Sequence, residues 1–178
     1  VKSSNDGGSS DDLNIHNGYE GIFYAAKAGY YAGKHTIINN SWGIGSESGG
    51  IIDDGFKSGQ TIINIAFDTY GAIIVAAAGN GSTCGGAGNL VYPAAYNNVF
   101  AVTSIGSSDN HERTIGNPAT THQHNSTVDL SAPGYDVPLT PIPGLYMTGN
   151  GTSFAAPYVT GTVGLMLCAN PSLLNQEI

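Results

Sequence analysis

The chain has 178 residues and a formal net charge of −8, because five lysines and arginines face thirteen aspartates and glutamates. So few basic side chains cannot neutralise a phosphate backbone, which excludes nucleic acid as an expected partner. No unbroken apolar run approaches the ~20 residues that a bilayer span needs, so we expect no membrane span. The length suits one domain with a sizeable core, and the acidic, lysine-poor composition favours a secreted protein.

The first half of the chain predicts alternating helices and strands. Apolar residues at near-helical spacing predict a helix over 18–34, followed by a short strand over 35–41. Apolar residues at i, i+1, i+4 and i+5 favour a second helix over 51–70, ended by Gly71. The apolar run that begins at residue 72 and stops at Gly79 is typical of a strand buried on both faces of a parallel sheet.

The second half continues the same pattern. Residues 97–105 and 126–134 predict further strands, and the proline-rich residues 137–146 predict a hairpin. Residues 152–169 predict a helix that is apolar nearly all round and therefore buried, and 170–178 resembles the start of another helix. Strands that alternate with helices indicate the α/β class with a largely parallel sheet.

Ser153 lies where a glycine-rich turn leads into a predicted helix. A serine hydroxyl is a weak nucleophile that needs a base and donors for the developing oxyanion, and a helix N-terminus offers free N–H groups. Gly149 and Gly151 would let a substrate carbonyl approach, and Pro157 falls in the first turns, where its missing N–H costs little. The alternative is that Thr152 or Ser153 is an ordinary helix cap.

Asn80 ends the predicted buried strand, and the carboxyl ends of parallel strands are where such folds bind ligands. Its side-chain amide is a neutral donor suited to an oxyanion. Taken alone, an asparagine in this position is more often a turn residue.

Five segments resemble, in order and spacing, motifs of the subtilisin-like serine peptidases. They are NNSWG (39–43), AAAGN (76–80), YPAAYNNVFAV (92–102), DLSAPG (129–134) and GTSFAAP (151–157). The resemblance spans essentially residues 1–178. It implies a three-layer fold, with a mostly parallel central sheet and helices on both faces, that acts on polypeptide substrates by acyl transfer.

The resemblance also implies roles for single residues. Ser153 corresponds to the nucleophile, and the Asn80 side chain and the Ser153 backbone N–H correspond to the oxyanion donors. The resemblance implies that one wall of the peptide groove is formed by Ser41, Trp42 and Gly43. It also implies that the floor of the specificity pocket is formed by Ala78 and Gly79. Most relatives carry an aliphatic residue in place of Trp42, whose ring either narrows the groove or packs.

The sequence departs from the family pattern because it lacks the motifs that supply the catalytic base. The family's catalytic Asp and His motifs are not found, and no histidine has a matching context; the five are His16, His35, His111, His122 and His124. The spacing of the last two would suit a metal, but a solvated loop is the preferred interpretation. We expect a domain truncated at both ends, a missing upstream part of the same catalytic domain as its partner, and no activity for the chain by itself.

The resemblance requires no cofactor, although it leaves calcium as an option near residues 92–99. The backbone carbonyls of Ala94, Tyr96 and Val99 could act as calcium ligands there, but no matching carboxylate is evident. Cys84 and Cys168 are too few for a disulfide framework, and a single bridge or two free thiols stay open. The alternative function is a non-catalytic binding module of the same family. A nucleotide-binding domain is disfavoured because no Gly-Lys-Ser/Thr follows the glycine-rich stretch.

Overall fold

The computed structural model describes residues 15–45, 54–81, 86–106 and 122–178. Helices and strands alternate along the chain, as the sequence predicts. Three helices and eight strands lie within the described residues: α1 (Ile15–Tyr31), β1 (Ile37–Asn40), β2 (Ile44–Gly45), α2 (Asp54–Asn64), β3 (Ile73–Ala77), β4 (Val91–Tyr92), β5 (Phe100–Ile105), β6 (Leu130–Pro133), β7 (Val137–Ile142), β8 (Leu145–Gly149) and α3 (Thr152–Ala169).

A four-stranded parallel sheet forms the middle layer, in the spatial order β1-β3-β5-β6. The spatial order of these four strands follows their order along the chain. Every side chain of β3 is buried, which confirms the prediction of a strand covered on both faces. β2 and β4 form a short antiparallel pair, and β7 and β8 form the predicted hairpin.

Helices cover the sheet on both sides. Alternate residues of β3 point to opposite faces, so Ile74 and Ala76 pack under α1 and α2, whereas Ile73 and Val75 pack under α3. The three-layer α/β prediction is therefore confirmed.

α3 has the predicted bounds, whereas the other two predicted helices are found with shifted ends. α1 starts three residues earlier than predicted, and the chain turns at Gly33 with φ +63°. α2 runs into a π-helical turn (Ile65–Thr69) and ends before Gly71, whose φ is +65°. The sequence also predicts the end of a strand at residues 1–3, which lie outside the described residues.

Two expectations about the C-terminal part are wrong. α3 is buried only along the face that meets the sheet, since Leu165 is 72 % exposed and Cys168 is a free, exposed thiol. Residues 170–178 form turns instead of a helix, because the Asn170 side chain accepts from both the backbone N–H and the hydroxyl of Ser172. With 18 residues and a mean hydropathy of 1.2, α3 is long and apolar enough to cross a membrane; here it packs on the sheet as a core helix.

Candidate active site

Three chain segments meet at one edge of the sheet. β1 and β3 are parallel neighbours, with Asn40 opposite Ala76, so the residues that follow them leave the sheet at the same edge. Ser41 follows β1 and Asn80 follows β3 by three residues. The N-terminus of α3 begins at this edge, which brings Ser153 beside both segments.

Ser153 and Ser41 exchange two hydrogen bonds. The Ser153 hydroxyl donates to the Ser41 carbonyl at 3.1 Å, and the Ser41 hydroxyl donates to the Ser153 carbonyl at 2.9 Å. The second bond has a cause inside α3. Pro157 lies four residues after Ser153 and has no N–H, so the helix cannot supply a donor to that carbonyl. Contrary to expectation, Pro157 therefore costs the helix a hydrogen bond to the Ser153 carbonyl, and the Ser41 hydroxyl replaces that bond.

Asn80 caps α3 from outside the helix. The cap residue itself is Gly151, which has no side chain to contribute. Asn80 Oδ1 instead accepts from the Thr152 backbone N–H at 2.9 Å and from the Thr152 hydroxyl at 3.1 Å. Because a backbone N–H can only donate, these bonds fix which side of the amide carries oxygen. The Asn80 NH2 group consequently lies on the side of the amide away from the Thr152 N–H.

Thr152 links this cap to the end of β3. Its side chain is fully buried, and its hydroxyl accepts from the Gly79 backbone N–H at 3.0 Å while donating to Asn80. Gly79 has φ +117°, a conformation that favours glycine, and a Cβ there would lie 2.7 Å from Gln123 Oε1. Only glycine can therefore bring the strand end this close to its neighbours.

Gln123 supports the candidate site, and no motif or periodicity in the sequence points to it. It is fully buried, and its side chain accepts from the Gly81 N–H at 2.8 Å and donates to the Gly86 carbonyl at 3.1 Å. Its backbone N–H donates to the Gly79 carbonyl at 3.1 Å. One residue thus holds both ends of the 81–86 stretch beside Asn80. A glutamine in a polar stretch carries no periodicity that would single it out.

The predicted groove residues lie around this centre. Ser41 and Gly43 are exposed, whereas Ala78 and Gly79 are buried. Of the two readings left open for Trp42, the structure favours packing, since its ring meets Tyr19 of α1 edge-to-face at 5.6 Å.

The described histidine side chains form hydrogen bonds elsewhere. His35 Nε2 contacts the Pro171 carbonyl at 2.7 Å, and His124 Nδ1 contacts the His122 carbonyl at 3.1 Å. His122 is buried and its Nδ1 contacts the Ser104 hydroxyl, so the expectation of a solvated loop is wrong for this residue. The side chains of the other two histidines lie outside the described residues.

The described residues contain no group of three or more His, Cys, Asp and Glu side chains that could hold a metal. The stretch named for calcium is held by neutral amides. The Gln60 side chain donates to the Asn97 carbonyl at 3.1 Å and accepts from its N–H at 3.0 Å, and Asn98 donates to Asn64 at 3.2 Å. These contacts supply no negative charge for a cation, so calcium stays a prediction.

The chain is similar to known proteins along its whole length. The model of the Subtilase family matches residues 1–178, which is the whole chain. The chain belongs to the subtilase family. It is 36 % identical over 152 residues to the alkaline elastase YaB of Bacillus sp. (strain YaB), covering 85 % of this chain and 36 % of that protein. It is 32 % identical over 153 residues to subtilisin E of Bacillus subtilis (strain 168), covering 83 % and 38 %.

Solved subtilase-like structures share the fold. The S41 psychrophilic protease superposes with a TM-score of 0.67 at 26 % identity, covering 96 % of this chain and 53 % of that one. MycP1 with its N-terminal propeptide removed gives a TM-score of 0.71 at 26 % identity, covering 91 % and 56 %. This subtilase chain therefore spans little more than a third of the length of those two curated relatives, and about half of the solved ones.

Proposed function

We propose that this chain carries the nucleophile-bearing part of a subtilisin-like serine endopeptidase, with Ser153 as the nucleophile. The observation that carries the proposal is the convergence of Ser153, Asn80 and Ser41 at the N-terminus of α3. The positive end of the helix dipole and the N–H groups of the first turn favour an anion at this point. A tetrahedral oxyanion is such an anion.

The reaction would run in two halves. The Ser153 hydroxyl leaves the Ser41 carbonyl and gives its proton to a base while Oγ attacks the carbonyl carbon of a peptide bond. The carbonyl oxygen becomes an oxyanion, which accepts from the Asn80 amide and the Ser153 backbone N–H. Collapse breaks the C–N bond, and the departing amine takes the proton. Water then cleaves the acyl-enzyme by the reverse steps and restores the Ser153 hydroxyl.

The base belongs to the same proposal. Each described histidine side chain contacts a group other than Ser153. We therefore propose that a further part of the same catalytic domain supplies the imidazole and its carboxylate, in keeping with the fraction of the relatives' length that this chain spans. Polypeptides are the substrate class, Ser41, Trp42 and Gly43 form one wall of the groove, and Ala78 and Gly79 form the floor of its pocket.

Secretion completes the proposal and is supported by the acidic, lysine-poor composition. No cofactor takes part in the proposed steps, and calcium would act on stability alone. No feature of the described residues favours a non-catalytic binding module over the enzyme.

The test uses the full-length protein and a chromogenic peptide substrate. Wild type should turn over and be labelled by a serine-directed phosphonate, and Ser153→Ala should lose both properties. Ser126→Ala changes an exposed serine in a turn and should keep both. Retained turnover in Ser153→Ala would remove Ser153 from the mechanism.

A second arm locates the base. Residues 1–178 expressed alone should be inactive and should gain activity when the preceding segment of the protein is added as a second chain. Turnover by 1–178 alone, lost in Ser153→Ala, would place the base on a histidine within this sequence.

A further inference from the structure

A row of three side-chain hydrogen bonds leads from the middle of α3 to the carbonyl of Ser153. The Thr160 hydroxyl lies 3.1 Å from Asn39 Oδ1, and Asn39 Nδ2 lies 2.9 Å from Ser41 Oγ. The Ser41 hydroxyl completes the row by its bond of 2.9 Å to the Ser153 carbonyl. Thr160 follows Ser153 by about two helical turns, so both residues lie on the face of α3 that meets β1.

We propose that Asn39 and Thr160 are positioning residues for the reaction, because they make the Ser41 hydroxyl donate to the Ser153 carbonyl. They act through Ser41 and hold in place the residue that carries the attacking oxygen. The inference rests on the proposed function, since it takes Ser153 as the nucleophile.

The helix itself decides where the Thr160 hydroxyl donates. This hydroxyl also lies 3.0 Å from the Ala156 carbonyl, four residues earlier in α3. That carbonyl already accepts from the Thr160 backbone N–H, as the regular helical pattern requires. The Thr160 hydrogen is therefore available to Asn39 Oδ1, which can only accept.

This donor fixes the orientation of the Asn39 amide. With Oδ1 toward Thr160, the NH2 group faces Ser41 and donates to its oxygen, so the Ser41 hydrogen goes to the Ser153 carbonyl. With the amide reversed, Oδ1 would draw the Ser41 hydrogen to itself. The Ser153 carbonyl, which has no helical donor because of Pro157, would then lose its partner.

Every group in the row has a partner in only one direction, which runs from Thr160 to Ser153. Each donor in such a chain polarises the next one, so the last bond is strengthened by the first two. A change at Thr160 should therefore be felt at Ser153, although the two side chains share no direct bond.

The direction of the row matters because Ser153 supplies two groups to the proposed step. Its Oγ attacks the substrate carbonyl, and its backbone N–H donates to the oxyanion. A carbonyl held by Ser41 restrains the rotation of this residue and so aligns both groups. Misplacement of reacting groups by about 1 Å can cost about 100-fold in rate. Loss of alignment should lower kcat and leave KM nearly unchanged, because the affected contacts belong to the transition state.

The experiment measures kcat and KM of the full-length enzyme on a peptide anilide. Thr160→Val keeps the shape of the side chain and removes the hydroxyl that orients Asn39. The value of kcat should fall by about 2- to 10-fold, the factor that one hydrogen bond is worth, with little change in KM. Thr160→Ser restores the hydroxyl and should recover the wild-type rate.

Thr162→Val is the matched control on the same helix. The Thr162 side chain is exposed, and its hydroxyl donates to the carbonyl four residues earlier, that of Tyr158, at 2.9 Å. The variant therefore removes the same kind of bond within α3 without touching the row. It should leave kcat unchanged, and equal rates in Thr160→Val and Thr162→Val would overturn the inference.

Two substitutions of Asn39 test the direction of the row. Asn39→Ala removes the donor to Ser41 but leaves the Ser41 hydrogen for the Ser153 carbonyl, so kcat should fall about as in Thr160→Val. Asn39→Asp places a charged acceptor beside Ser41 and draws that hydrogen away from Ser153, so kcat should fall further. A rate in Asn39→Asp equal to or above that of Asn39→Ala would contradict the direction.

A double variant shows whether Thr160 acts through Ser41. In the background of Ser41→Ala the row no longer reaches Ser153, so Thr160→Val should change kcat less than it does in wild type. Full additivity would show a merely structural effect of the valine and would overturn the inference, while Ser153 stayed the nucleophile. Cleavage that persists in Ser153→Ala would overturn the proposed function, and the inference with it.

Discussion

The Ser41 hydroxyl donates to the Ser153 carbonyl at 2.9 Å, and it does so because Pro157 leaves that carbonyl without a helical donor. The contact joins the end of β1 to the first turn of α3 across 112 residues. It fixes the backbone of the proposed nucleophile, while the reverse bond holds the nucleophile's hydroxyl on Ser41. A proline that removes one bond within the helix thereby creates one between two segments of the site.

A double-mutant cycle tests this relationship. Ser41→Ala should lower the free energy of unfolding by about 1 kcal/mol, the usual net value of one hydrogen bond. In the background of Pro157→Ala the same change should cost less, since the new N–H at 157 can donate to the Ser153 carbonyl. Urea unfolding of the four proteins gives the coupling energy, and strict additivity would contradict the account.

Asn80 combines two roles that substitution can separate. Asn80→Ala removes both the cap and the donor, whereas Asn80→Asp keeps an acceptor for the Thr152 N–H and replaces the donating NH2 group by a charged oxygen. Both variants should lose about 100- to 1,000-fold in kcat, a magnitude taken from the removal of such a donor in a subtilisin. Only Asn80→Ala should also lose about 1 kcal/mol of stability, since a carboxylate is a good helix cap.

The measurements for Asn80 are turnover of a peptide anilide and thermal unfolding. Near-native turnover in Asn80→Asp would exclude the amide as an oxyanion donor. Equal loss of stability in both variants would show that capping of α3 does not depend on an acceptor at this position.

Gln123 should stabilise the stretch beside Asn80. Gln123→Leu keeps the approximate size but leaves the Gly81 N–H and the Gly86 carbonyl without this partner. The Gly86 carbonyl keeps the Asn89 N–H as a donor at 3.1 Å, whereas the buried Gly81 N–H is left unsatisfied. One unsatisfied buried group costs about 1–3 kcal/mol, so the variant should lose about that much stability on urea unfolding.

The control for Gln123 is its exposed neighbour. His124→Gln should change stability by no more than about 0.5 kcal/mol, as surface substitutions usually do. A loss for Gln123→Leu of the same size as for this control would contradict the bracing role.

Gly59 tests packing against helix propensity. A Cβ at this position of α2 would lie 2.5 Å from Tyr96 Oη and 2.9 Å from Tyr19 Cζ, and both tyrosines are buried. Gly59→Ala should therefore destabilise the protein by about 1–3 kcal/mol, the usual cost of overpacking, although alanine is the better helix former.

Gly161 of α3 provides the opposite case. It is exposed, and a Cβ there would meet nothing within 4 Å. Gly161→Ala should gain up to about 1 kcal/mol from helix propensity alone. Thermal unfolding distinguishes the two variants, and a gain for Gly59→Ala would show that the tyrosine rings give way.

Much of the fold could be read from local pattern. The apolar run ahead of Gly79 predicted a strand buried on both faces, and the helical spacing before Gly71 predicted α2, because both signals come from residues close together in the chain. The same local logic predicted the bounds of α3 but failed for its burial, and it failed for 170–178. Whether a helix face is covered, and whether a turn continues, depends on neighbours that the segment does not contain.

Ser153 and Asn80 could be predicted as site residues from the sequence, because each lies in a short motif of consecutive residues. Only the tertiary structure decided which groups these residues form hydrogen bonds with. Pro157 shows in the sequence that a carbonyl loses its donor, but only the packing of β1 against α3 shows that Ser41 replaces it. The role of Gln123 was invisible for the same reason. Hydrogen bonds and packed volumes join groups that are distant along the chain, and no local pattern records their partners.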